Sequence, residues 1–159
     1  MTTQTAYTTN IAPPGPGTIA GAFDAAKTTT GIAETASPGI PFGRAVSQGS
    51  LSDQGVVLGG TLVGFRGVSV RDVTLRGDLA VVDAFLPPNS LSVLEEGDIW
   101  VEPGEAVAAH DIVTFNLTTG VLMKTAGAPN SAALPQCYFK TSCGVGGRAI
   151  VSIAFGRKA

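Results

Sequence analysis

Charge is scarce in this chain. Asp, Glu, Lys and Arg make up 14% of its 159 residues, where roughly 25% is usual for a soluble domain. What charge there is balances slightly acidic, with a net −2. A nucleic-acid binder is expected to carry a basic footprint, and none is present. Aromatic residues are also few, at 6%, and Trp100 is the only tryptophan. That argues against a sugar-processing cleft lined with rings. His110 is the only histidine, so it would be the sole candidate base for a nucleophilic triad. No serine flanks it, and no GxSxG elbow occurs. The two cysteines, Cys137 and Cys143, form no CxxC pair and have no partner histidines, which is a poor zinc pattern. They read as free thiols in a reducing cytoplasm, with a disulfide closing a small loop as the alternative once the protein is outside a cell. No apolar run reaches the ~18 residues of a membrane span. The start, "MTTQTAYTTN", has neither the basic nor the apolar region of a secretory signal, so synthesis in a cytoplasm is expected.

The remaining candidates for chemistry are weak. Asp98, Glu102, Glu105 and Asp111 lie close in sequence but do not follow the calcium-loop pattern. They read as solvated acids in turns between strands. Spacing alone leaves paired carboxylates for glycoside hydrolysis open. "GVGGR" (144–148) lacks the GK[ST] of a phosphate loop and precedes a strand rather than a helix. No catalytic set, cofactor site or metal site is expected, so binding or assembly is the expected work.

Glycine (21) and proline (10) are abundant, near a fifth of the chain together. This favours turns and short strands over long helices. Residues 1–41 differ from the rest. Ten threonines fall in the first 35 positions, and "APPGPG" (12–17) and "SPGIP" (37–41) are rigid or turning. "AGAFDAAK" (20–27) is long enough for two helical turns, which would be marginal alone. The segment reads as an extended N-terminal arm lying on a surface, its own or a neighbour's. Its low charge and Ile11, Ile19, Phe23, Ile32 and Ile40 set it apart from a disordered tail.

From residue 42 onward the pattern is β. "VSVRDVTL" (68–75) alternates and then slips at Arg71-Asp72, as at a bulge or strand end. "SLSVL" (90–94) places Leu91 and Val93 together, and "DIWV" (98–101) reads as a strand start. "EPGE" (102–105) reads as a turn. "DIVTFNL", "TTG" and "VLMK" (111–124) form a credible hairpin, with Val113, Phe115 and Leu117 on one side. "GGRAIVSIAF" (146–155) closes the chain as a strand. Short strands about ten residues apart, without helices to connect parallel strands, predict a mainly β fold. The expected form is a small β-barrel or jelly-roll-like β-sandwich over 42–159, with an extended N-terminal arm. Charge is uneven: residues 72–111 hold nine acids and one base, and 112–159 hold five bases and no acid. Pairing within one folded sheet is the expected outcome.

"GIPFGRAVSQGS" (39–50), "FRGVSVRDVTL" (65–75), "GDIWVEPGEAVAAHDIVTF" (97–115) and "FKTSCGVGGRAIVSI" (139–153) occur in an order that resembles the structural cement, or decoration, proteins of tailed bacteriophages. The resemblance covers roughly residues 38–156. It implies a non-enzymatic virion protein with a small β-barrel or sandwich fold. Such a protein would be made in the bacterial host cytoplasm. It would bind the outer surface of the expanded capsid and bridge neighbouring major capsid proteins, as a homodimer or homotrimer. The family supplies no fixed contact residues, so interface candidates come from physics. Tyr7, Ile11, Ile19 and Phe23 are candidate anchors of the arm. Arg66, Arg71 and Trp100 are candidate contacts, because Arg and Trp are enriched at hot spots. An alternative from another class is a virion accessory β-module that binds a host-surface glycan or another virion protein.

Overall fold

The computed structural model describes residues 12–21, 26–36, 39–72, 84–125 and 128–154, and every regular element among them is a strand. In chain order these are β1 (Ile19–Ala20), β2 (Lys27–Ala33), β3 (Ile40–Pro41), β4 (Ala45–Gln48), β5 (Gly55–Leu58), β6 (Phe65–Ser69), β7 (Ala84–Phe85), β8 (Ser90–Val101), β9 (Ile112–Asn116), β10 (Leu122–Met123), β11 (Ser131–Phe139) and β12 (Ala149–Ala154).

The organising element is β8. Its alternation buries Leu91 and Val93 on one face and Leu94 on the other. β2 pairs Thr28 with Leu94 but Lys27 with Glu96, so Glu95 is the extra residue of a bulge. Beyond it the face that Leu94 turns to the larger core is continued by Ile99 and Val101, at odd rather than even positions. Thr29 Oγ1 donates to Glu95 at 2.9 Å, and Lys27 pairs with Glu95 at 3.2 Å. Each edge of β8 therefore carries two partners in succession. One edge takes β2 and then β1, and the other takes β6 and then β12.

The first half of β8 belongs to a closed barrel. The path β8-β2-β5-β4-β6 returns to β8 through Val68↔Leu94 and Ser69↔Val93. Within it, β2 and β5 run parallel and the other pairs are antiparallel. Closure pairs strands that would otherwise be open edges. Ala33, Val46, Val56, Leu91 and Val93 form one buried cluster with Phe42, Ile40 of β3 and Phe85 of β7. Phe42 and Phe85 meet edge to face at 5.2 Å.

The second half of β8 belongs to a sheet of order β10-β9-β11-β12-β8. Its inner face packs on the outside of the barrel. Phe115, Leu134, Phe139, Val151 and Ile153 share a core with Ala45, Phe65, Val68 and Leu94 of the barrel wall. Phe65 and Phe115 meet at 5.3 Å. The "TTG" turn docks the hairpin on the barrel, where Ala45 N–H donates to Gly120 O at 2.8 Å and Gly60 N–H to Leu117 O at 2.7 Å.

The expected hairpin over 111–124 and the closing strand are present as β9-β10 and β12. Other expectations need correcting. "DIWV" does not start a strand; it ends the twelve-residue β8. Strands not foreseen include β11, β2 and the short β1 and β3. β11 carries Pro135, which lacks a ladder donor, and its register to β9 shifts between Leu134 and Tyr138, where such a residue is tolerated. β2 lies in the stretch read as an arm, yet it sits between β8 and β5 with Ala33 buried. Three consecutive β-branched threonines (28–30) suit that pleated position. The sheet thus crosses the expected division at residue 41. Of the helical turns considered for 20–27, residues 22–25 lie outside the described residues.

A carboxylate organises the loop between β4 and β5. Glu34 accepts the backbone N–H groups of Ser50 at 2.9 Å, Leu51 at 3.1 Å and Ser52 at 3.2 Å. Glu34→Gln replaces one acceptor oxygen with a donor facing these donors. We expect faster amide hydrogen exchange at Ser50, Leu51 and Ser52 and a stability loss of about 1 kcal/mol. Exchange rates unchanged at all three amides would show that the loop holds its shape without the carboxylate.

Candidate interaction surface

On β12, Ala149, Val151 and Ile153 are buried, which leaves Ile150 and Ser152 on the outer face. On β8, Trp100 stands between buried Ile99 and Val101 and faces the same way. Register places Ile150 opposite Trp100, Ser152 opposite Asp98, and Tyr138 opposite both Ser152 and Ile112. The outer face of the sheet therefore carries Trp100, Ile150, Tyr138 and Ile112 across four adjacent strands. Ile112 is 54% exposed and Tyr138 38%. The His110 ring stacks near parallel to Tyr138 at 6.1 Å. Asp98 and Lys140 form an ion pair of 2.6 Å on this face, and the hydrogen bond that Lys140 donates to Asp98 raises the Lys140 pKa above its ordinary value.

This arrangement suits a protein contact. Large aromatic and aliphatic groups share a flat strand surface with one charge pair, the composition that desolvates well at the centre of an interface. It offers no chemistry. Among the described residues no group of His, Cys, Asp or Glu is placed to hold a metal ion. Both cysteines are free, and burial pushes each thiol pKa up, away from the reactive thiolate.

The acids of the region divide. Glu102, Glu105 and Asp111 lie in connections, as expected, whereas Asp98 is on a strand. Glu105 accepts both Lys124 N–H at 2.9 Å and Thr125 N–H at 2.7 Å. The Thr125 hydroxyl bond is the largest cause holding its pKa below the usual carboxylate value. His110 occupies the turn before β9, with a left-handed φ of 72°. The acid-rich and base-rich halves meet within the fold through Lys140–Asp98 and Lys124–Asp111, the latter at 3.8 Å.

The sequence-based candidates scatter. Tyr7, Ile11 and Phe23 lie outside the described residues. Ile19 pairs with Ile99 and packs on the larger core, facing inward. Trp100 is half-buried on the outer face, and its backbone bonds to Gly17 and Thr18 tie β1 to β8. Arg66 Nη1 donates to Gln48 Oε1 at 3.3 Å on the barrel. Arg71 follows β6, and its guanidinium lies 5.6 Å over the Phe42 ring. Tyr138, Ile112 and Ile150, which share the outer face, are not among the sequence-based candidates. Period-2 alternation marked Ile112 and Ile150 as facing away from the core, but β11 had to be recognised before Tyr138 could join them.

The chain matches a family model described as structural cement protein (E217 gp24/Pam3 gp6) over residues 3–154. That span includes the N-terminal residues that the sequence resemblance left out. No curated protein matches the chain. Among solved structures it is similar to a chain in the capsid of Myoviridae phage XM1, with 14% identity, a TM-score of 0.70, and 96% of this chain and 98% of that one covered. A second match is the head fiber gp8.5 N base of bacteriophage phi29, with 12% identity, a TM-score of 0.46, and 81% and 94% covered. At these identities the first likeness concerns the fold.

Proposed function

Because the chain belongs to the phage structural cement protein family, we propose that it binds the outer surface of the expanded capsid and bridges neighbouring major capsid proteins. The family is a structural one and not an enzyme class, and membership makes the chain a capsid-associated component of the virion. The observation that carries the proposal is the extent of the match, which spans nearly the whole chain. The outer side is favoured by charge. A net of −2 with no basic footprint suits a surface that does not meet packaged DNA. Self-association as a homodimer or homotrimer, after synthesis in the host cytoplasm, completes the reading. Many copies on a closed lattice turn modest single contacts into strong retention. The N-terminal arm, anchored by Tyr7 and Ile11, supplies the link to a neighbour.

The outer sheet face is the contact surface in this account. Ile112→Glu places a charge on it at an exposed position. It should leave the thermal midpoint of the free protein nearly unchanged. It should also weaken binding to shells that lack the protein by about tenfold or more, the scale of a hot-spot change. It should cancel the protection of those shells against heat at protein concentrations where the unaltered chain protects. Binding and protection equal to those of the unaltered chain would remove this face from the contact.

A further inference from the structure

A cleft of about 330 Å³ is lined by Pro16, Pro41, Phe42, Gly43, Arg44, Arg71, Glu102 and Arg148. Elements distant in sequence build it: the Pro16-Gly17 turn, the β3–β4 connection, the end of β6 and the start of β12. Close backbone approach shapes it. Arg71 N–H donates to Gly17 O at 2.8 Å, and Gly43 N–H to Ser69 O at 2.9 Å. Three guanidinium groups share the lining with one carboxylate, Glu102.

The arginines are held in different ways. Arg148 Nη1 donates to the carbonyls of Pro13 at 2.6 Å and Pro14 at 3.1 Å, which fixes its position and leaves its other N–H groups for a further acceptor. Arg71 stacks on Phe42. Arg44 is half-buried, and burial lowers its pKa, with Glu102 only partly offsetting this. A partly desolvated cation is costly without a close anion. The walls beside these groups are apolar, from Pro16, Pro41 and Phe42. A hydrocarbon stem ending in a carboxylate matches both features, whereas a bare phosphate matches only the charge.

We propose that this cleft is a binding site for a carboxylate side chain presented by an acidic segment of a protein partner. Arg44 and Arg148 grip the carboxylate as forked donors, and Pro16, Pro41 and Phe42 flank its stem. The partner's being a capsid protein rests on the function proposed above, but the site can be tested without a shell. The probe is a tetraglutamate peptide with blocked termini, titrated into the full chain at low salt and followed by amide NMR, with inorganic phosphate as the comparison. We expect saturable shifts at Gly43, Arg44, Arg71 and Arg148, with phosphate weaker. We also expect about a tenfold or greater loss of peptide affinity in Arg44→Gln, which removes a charged donor. Arg148→Lys keeps the charge and loses the fork, so it should fall between, while Lys27→Gln, outside the cleft, should bind as the parent does. The proposal is overturned by an absence of saturable shifts, by equal affinity for phosphate, or by peptide binding that both cleft variants leave intact. Arg148→Lys keeps the test valid if Arg44→Gln loses the dispersed spectrum of a folded chain. A capsid-binding chain that ignores the peptide would sink this site and leave the proposed function standing.

Discussion

Gly67→Ala is expected to open the barrel. Gly67 lies in β6 with φ of 153°, where L side chains are rarely found. A Cβ there would overlap the Leu94 carbonyl oxygen, and would stand 2.8 Å from the carbonyl carbon and 2.9 Å from Val93 Cγ1. The obstacle is largely backbone, so it cannot swing aside as a flexible side chain would. The ring closes there through a short junction: Val68↔Leu94, Ser69↔Val93 and a hydrogen bond from Val70 N–H to Ser92 O of 2.8 Å. Backbone strain and overpacking, at ~1–3 kcal/mol each, give an expected loss of about 3 kcal/mol or more. Against a usual stability of about 5–15 kcal/mol, that is a large fraction. For a chain of this size the thermal midpoint should fall by about 10 °C. A midpoint within about 2 °C of the parent would show that β6 can shift without opening the ring, contrary to this account.

Phe115→Ala should cost about as much for a different reason. Phe115 has no exposed surface and meets Phe65 of the barrel wall at 5.3 Å. It sits where barrel and sheet share one core, so its neighbours are held by two sets of strands and collapse poorly into a void. A loss of about 3–5 kcal/mol is expected by denaturant unfolding, in a single transition for barrel and sheet together. Phe115→Leu should cost about 1.5 kcal/mol or less, because most of the volume remains. Two separate transitions, or a loss for Phe115→Ala as small as for Phe115→Leu, would mean that the two parts do not depend on each other through this residue.

Much of the fold was legible because alternation survives without tertiary information. Leu91 and Val93, the 111–124 hairpin and the 149–154 strand all follow period 2, and the residues that pattern picks out are buried, Leu117 only in part. The missed strands hide that signal. β2 has threonines where apolar residues would mark a core face, and β11 has Pro135 at its register shift. The length of β8 was hidden by its bulge at Glu95, which moves the face toward the larger core from even Leu94 to odd Ile99 and Val101. Ring closure depends on β6 pairing back to β8, and no local pattern encodes which distant strand completes a ring. The candidate surfaces were less legible than the fold. Trp100 stood out by rarity, but Tyr138 and Ile112 become its neighbours on the same face only through the register of three strand pairs. Arg44, Arg71 and Arg148 converge through turns far apart in sequence. The family resemblance was carried by short ordered pieces, and the family match extends it to residues 3–154.

Capsid binding is measured by co-sedimentation. The purified chain is mixed with expanded shells from the same phage that lack it, and the pellet is assayed over a range of concentrations. Saturable binding at a fixed ratio to the major capsid protein is expected, with that ratio reporting dimer or trimer sites. A folded chain that stays in the supernatant at every concentration would contradict it. The weight would then move to a virion accessory module that recognises a glycan or another virion protein.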